Sequence, residues 1–125
     1  MLHLKGMTTA LLIIDHGSRL KAANHMLFDV VKAMRGHRPD LLVYGAHMEL
    51  AVPTISDGVA WCMARGATRL IAHPYMLSPG RHATRDIPHL VSEAMAAYPS
   101  VAYTVTDPLG VDDHLLKLIA KRAGV

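Results

Sequence analysis

The chain has one cysteine, one tryptophan and one phenylalanine in 125 residues. A lone thiol, Cys62, cannot close a disulfide within the chain or build a cysteine-based zinc or iron–sulfur site. A chain without disulfides suits a reducing compartment, so a cytoplasmic location is expected. Four tyrosines are the only other aromatic side chains, too few to stack on bases. The 13 Lys and Arg exceed the 10 Asp and Glu by a formal charge of +3, and they are scattered rather than clustered, so nucleic acid is not expected as a partner. Long apolar runs are also missing. The early stretch Ala10–Ile14 ends at Asp15 and His16, which makes no signal peptide and falls far short of the roughly 18 residues that cross a bilayer. The expectation is a soluble protein without a membrane partner.

What is present is 51% hydrophobic and 18% charged residues, which excludes a disordered chain and predicts one domain, residues 1–125, with a core of useful size. Four strand-then-helix units follow in order. Ala10–Ile14 reads as a buried parallel strand, followed by Leu20, Ala23, Leu27, Val30, Val31 and Met34 at helical spacing, with Gly36 as C-cap. Leu41–Tyr44 is a second strand, and Val52, Ile55, Val59 and Met63 a second helical stripe, with Pro53 near its start and Gly66 at its end. Thr68–Ala72 is a third strand, and a long Pro-, Gly- and Ser-rich connection runs from His73 to Arg85. Ile87, Leu90, Val91, Ala94 and Met95 form a third helix, capped by Asp86, with Pro88 in its first turn. Val101–Val105 is a fourth strand, and Val111, Leu115, Leu118 and Ile119 carry a last helix. Such alternation predicts an α/β three-layer sandwich, a four-stranded parallel sheet with helices on both faces, flavodoxin-like in architecture.

In an open parallel sheet the ligand sits outside the carboxyl ends of the strands. That edge collects Asp15–Arg19, His47–Glu49 and the His73–Arg85 connection, which is longer than the usual two to six or so residues and therefore a functional candidate. Nine histidines are present, and where they fall matters more than their number. His16 follows the first strand and precedes a Gly17-Ser18 turn; His82 lies in the long connection between Arg81 and Arg85. Alone, His16 reads as a strand-end cap and His82 as a solvated loop residue. Placed on one edge, they predict a two-histidine site for a divalent first-row metal held transiently, as two imidazoles with open positions allow. Glu49 is either a third ligand or a proton acceptor, and a carboxylate near a helix N-terminus is favourable through the dipole alone. His47 and His73 are weaker candidates, while His3, His25, His37, His89 and His114 read as surface or helix-face residues. Arg19, Arg81 and Arg85 form a basic rim suited to carboxylates or phosphates. Met26, Met34, Met63 and Met95 read as core filling.

Several chemistries drop out. No G-x-S-x-G elbow surrounds Ser18, and no G-x-G-x-x-G, Walker lysine or H-E-x-x-H motif occurs. A histidine phosphatase requires an arginine directly before its first histidine, where this chain has Asp15.

Leu11–Arg19 (LLIIDHGSR), Tyr44–Val59 (YGAHMELAVPTISDGV) and above all His73–Pro88 (HPYMLSPGRHATRDIP) resemble the CbiX/SirB class II tetrapyrrole chelatases, and Asp107–Gly110 (DPLG) is similar to their segment after the last strand. The resemblance covers essentially the whole chain in the same order. It implies insertion of a divalent metal, Co2+ or Fe2+ with Ni2+ also accepted by such ligands, into sirohydrochlorin or a related tetrapyrrole on the route to cobalamin or sirohaem. The metal is then substrate, and no organic cofactor is implied. His16 and His82 match the family's metal-binding pair, and Glu49 its acidic ligand or base. Ser18, Arg19, Arg81 and Arg85 are candidates to contact the macrocycle and its carboxylates. The short form of the family pairs as a homodimer. Two departures stand out: Asp15 replaces a residue that is more often small, and can orient His16, and His47 replaces an often apolar one, adding a nitrogen donor. A non-catalytic carrier of the tetrapyrrole or the metal would use the same residues.

Overall fold

The computed structural model describes residues 6–125; His3 lies outside them. In chain order the elements are β1 (Thr9–Asp15), α1 (Lys21–His37), β2 (Leu42–His47), α2 (Ile55–Ala64), β3 (Arg69–Pro74), a π-helical turn (His82–Asp86), α3 (Ile87–Met95), β4 (Ala102–Val105) and α4 (Asp113–Ala123). All strand pairs are parallel, in the order β2-β1-β3-β4. The three-layer α/β architecture expected from the alternation is the one observed.

Strand order and handedness decide which helix covers which face. A right-handed crossover from β1 to β2 puts α1 on one face, and the return from β2 over β1 to β3 puts α2 on the other. The step from β3 to β4 continues in that second direction, so α3 packs beside α2. Both faces of β1 are therefore buried, which explains its unbroken apolar run. Leu12 and Ile14 join Leu70, Ile55, Val59, Ile87 and Val91 on the α2/α3 side. Ile13 joins Leu27, Val31 and Val43 on the α1 side. Gly58 lets α2 come close to the sheet, since a Cβ there would stand 2.7 Å from Leu12 Cδ1 and 3.1 Å from Ala46 Cβ.

Boundaries moved where packing or capping overrode local pattern. β2 extends through Gly45 and Ala46 to His47 because Leu27 and Val31 close over Gly45 on one face and Ala46 packs into the α2/α3-side core on the other, tertiary contacts that propensity does not contain. α1 runs past Gly36 to His37 with Arg38 as C-cap, so Gly36 is not the cap. Val52 and Pro53 precede α2, which starts behind Thr54; Thr54 and Asp57 form a reciprocal capping box. β3 includes His73 and Pro74, and helical structure resumes at His82, so the irregular part of the long connection is only residues 75–81. Asp86 does not cap α3: its backbone is already helical and its side chain makes no capping bond. Val111 lies before α4, whose N-cap is Asp112, and is 91% exposed. Met26 faces solvent instead of the core. α4 has no buried residue and leaves Leu116, Leu118 and Ile119 exposed.

Two truncations separate the core from α4. Leu12→Ala should lower the unfolding free energy in urea by about 3 kcal/mol, whereas Ile119→Ala should change it by less than about 0.5 kcal/mol in the monomer.

Candidate functional site

β1 is the point at which the strand order reverses: one connection leaves it toward β2, and the chain then crosses back to β3 and β4. At such a reversal the segments leaving adjacent strand ends diverge and open a crevice. The residues after β1 and after β3 flank it, and this brings His16 and His82 together. Their rings stand edge to face with centroids 4.5 Å apart. Glu49 arrives from β2. The ladder between β1 and β2 runs on past the strand ends, with Met48 N–H donating to Asp15 O (2.9 Å) and Glu49 N–H to His16 O (3.2 Å).

Glu49 Oε2 is 3.8 Å from His16 Nδ1, and each of these side chains is about half exposed, at 48%. Two atoms binding one first-row ion lie about 3.0–3.4 Å apart, so a shift of less than an ångström would let both reach it. Among the described residues no three His, Cys, Asp or Glu side chains form a ready-made cage. The site is an open pair of imidazoles with one carboxylate at longer range.

Gly17 makes this approach possible. Its φ is +90°, and a Cβ there would collide with the Glu49 carbonyl oxygen and press on His47 Cβ. Ser18 is occupied by local structure: Leu20 N–H donates to its Oγ (2.9 Å), and Asn24 bonds both its backbone N–H and its carbonyl. That arrangement opens α1, which has no conventional side-chain cap, and leaves the Ser18 hydroxyl proton free for a ligand.

The two departures noted in the sequence satisfy each other. Asp15 orients His47, not His16: His47 Nδ1 donates to Asp15 Oδ1 at 2.6 Å, with His47 only 1% exposed. His47 is therefore a buried link between β1 and β2, and not an extra metal donor. Burial of such a ring requires a partner, which the register Asp15↔His47 supplies. His82, in turn, bonds Asp86, with Nδ1 2.9 Å from Oδ2, and Arg85 Nε holds the other oxygen of that carboxylate at 3.1 Å. Arg85 beside it, with His82, holds the Asp86 carboxyl below its ordinary range.

The basic rim is divided. Ser18 and Arg19, with Lys21 and His25, line a cavity of about 360 Å3 that also takes Leu50 and Val52, while Arg81 and Arg85 stand at the π turn that carries His82. Residues that pattern reading left out also border the site. A cleft of about 270 Å3 is lined by Met48, Glu49, His82, Asp86, His89 and Leu90. His89 lies two helical turns beyond His82, a spacing that marks one helix face once the π turn is known to be continuous with α3. His73 lies apart, its Nδ1 2.9 Å from Thr106 Oγ1, and burial pushes its pKa below the ordinary histidine value.

A family model described as CbiX matches residues 10–124. The chain belongs to the CbiX family. This CbiX chain is 38% identical over 117 residues to a protein of Arabidopsis thaliana named sirohydrochlorin ferrochelatase, chloroplastic, covering 94% of the chain and 52% of that relative. It superposes with a TM-score of 0.88 and 30% identity on the sirohydrochlorin chelatase SirB from Bacillus subtilis subspecies spizizenii, solved in complex with cobalt, covering 94% of this chain and 50% of that one. A shorter relative, a sirohydrochlorin cobaltochelatase of Methanococcoides burtonii, is 28% identical over 121 residues, covering 90% of the chain and 92% of that protein. The chain thus spans about half the length of the first two and nearly all of the third.

Two measurements check the geometry. Gly17→Ala should destabilise the fold by about 3 kcal/mol in urea, combining a positive-φ penalty with overpacking. Because His73 binds its proton less readily when folded than when unfolded, stability should fall as pH drops below about 6.5; in His73→Gln the difference between urea midpoints at pH 8 and pH 5.5 should shrink.

Proposed function

We propose that this chain inserts a divalent metal ion, Co2+ or Fe2+, into sirohydrochlorin or a closely related tetrapyrrole. The convergence of His16 and His82 at the sheet's reversal point, 4.5 Å apart with Glu49 beside them, carries this reading. The names of the relatives from Arabidopsis, Bacillus and Methanococcoides support it. Insertion requires an ion partly stripped of water and the removal of two pyrrole N–H protons: M2+ enters the macrocycle and two H+ leave. Two neutral imidazoles with open positions hold the ion firmly enough to orient it and weakly enough to release it, unlike a closed four-ligand cage. Glu49, half exposed and adjoining His16, is the acceptor for the departing protons. The cationic groups near the histidines in the chain, Arg19 after His16 and Arg81 and Arg85 around His82, receive the acid side chains of a polycarboxylate macrocycle, with Ser18 in reserve as a hydrogen-bond donor.

The working form in this reading is a homodimer in the cytoplasm. The chain matches nearly all of the Methanococcoides relative, and the short form of the family, which it resembles, pairs as a homodimer. The exposed apolar side of α4, where Leu116 and Ile119 border a groove of about 740 Å3 with Leu77 and Val111, offers surface for such pairing. Among the described residues no helix is long and apolar enough to cross a membrane.

The test is anaerobic. Purified protein is mixed with sirohydrochlorin and, separately, Co2+, Fe2+ or Ni2+, and the macrocycle absorption bands are followed. The expected result is a rate well above the protein-free blank, lost in His16→Ala and His82→Ala and lowered about 100-fold in Glu49→Gln. Macrocycle binding without acceleration by any metal would overturn insertion and leave a carrier.

A further inference from the structure

We propose that Asp86 is a positioning residue that fixes His82 in the tautomer with its proton on Nδ1, so that Nε2 is the nitrogen presented to the metal ion. The inference rests on the reading of His82 as a metal ligand.

Three observations converge on it. Asp86 stands directly before an Ile-Pro helix start, where an aspartate would ordinarily cap the helix, yet its backbone is helical (φ −70°, ψ −45°) and its side chain accepts no capping bond. Its oxygens are committed elsewhere: Oδ2 lies 2.9 Å from His82 Nδ1, and Oδ1 receives Arg85 Nε at 3.1 Å. The carboxylate is thereby held from two sides, and its plane is not free to turn away from the imidazole.

The arrangement then dictates which ring nitrogen has a lone pair. An ionised carboxylate only accepts, so the bond requires a proton on His82 Nδ1. An aspartate is ionised at neutral pH, and Arg85 Nε, bonded to its other oxygen, favours that form. A neutral imidazole has a single ring proton, and placing it on Nδ1 leaves Nε2 bare. In free histidine the proton prefers Nε2, which would block that nitrogen and offer Nδ1 instead. The carboxylate therefore reverses the intrinsic preference, and it raises the basicity of the nitrogen left bare, Nε2. Among the described residues His16 has no such partner: the carboxylate of Glu49 is 3.8 Å away, beyond hydrogen-bond range. The two imidazoles are thus unequal. One is fixed before the ion arrives, and the other is free to adjust or to let go.

The test reads tautomer and metal affinity separately. Two-bond 1H–15N correlation spectra of the whole protein at pH 8, without metal, should show His82 with a protonated Nδ1 and a bare Nε2. In Asp86→Ala the His82 pattern should move toward protonated Nε2, and Co2+ affinity should fall on the order of 10- to 100-fold. Asp86→Asn keeps the shape of the side chain but has one acceptor oxygen for two donors; with that oxygen on Arg85 Nε its NH2 faces His82 Nδ1, so the tautomer should shift and Co2+ affinity fall as in Asp86→Ala, a loss that a merely structural role would not produce. An Asp86→Ala spectrum with His82 unchanged, or unchanged Co2+ affinity where His82→Ala abolishes binding, would overturn the proposal. Should His82→Ala bind Co2+ as the parent does, the ligand reading fails, and with it the metal half of the proposal; the spectra then still report whether Asp86 sets the tautomer.

Discussion

Everything at the site depends on β1 being hydrogen-bonded on both sides, to β2 and to β3, with the chain's direction of travel reversing across it. Parallel pairing aligns the carboxyl ends of all three strands. The reversal sends α1 and α2 to opposite faces and leaves a crevice above β1. His16 sits at the floor of that crevice because it is the first residue past the strand. Glu49 reaches it from two residues past β2, and His82 from the start of the π-helical turn, after the connection 75–81 that follows β3. The sheet sets the position of His16 and Glu49, and the π-helical turn continuous with α3 sets that of His82.

Beneath His16 the packing is tight and polar at once. Gly17 turns with positive φ against the Glu49 carbonyl, and one residue below, the buried His47 is bonded to Asp15 at 2.6 Å. A buried polar pair of this kind contributes little net stability compared with apolar residues of the same volume, but removing either partner strands the other without a hydrogen bond. Its consequence here is geometric. It ties the last residues of β1 and β2 together immediately below His16 and Glu49, where ladder bonds alone would allow the ends to fray.

Above that floor the site is soft. His16, Glu49 and His82 are each about half exposed, and only His82 has its orientation fixed by a neighbour. The contrast between a rigid base and loosely held donors suits a site that takes an ion and gives it up. It also separates this edge of the molecule from α4, which contributes nothing to the core and presents apolar side chains outward.

Much of this was legible in the residues alone. Unbroken apolar runs such as Ala10–Ile14 mark strands buried on both faces, and periodic stripes such as Leu27 with Val31 mark the helices that bury them, because period follows directly from backbone geometry. Alternation of the two, with the carboxyl-edge rule, was sufficient to bring His16 and His82 to one place. Details governed by partners distant in sequence were not legible. Whether Asp15 serves His16 or His47 depends on the register of β1 against β2, and a strand's own residues do not state its register. Whether Asp86 caps α3 or holds His82 depends on the backbone of residues 82–86 being already helical, which local composition, rich in signals for a loop, concealed. The sequence by itself determined the elements, their order and the two histidines, since each of those follows from short-range pattern. Only the tertiary structure decided which carboxylate meets which imidazole, because hydrogen bonds between residues such as Asp15 and His47, 32 positions apart, exist only once the sheet has aligned them.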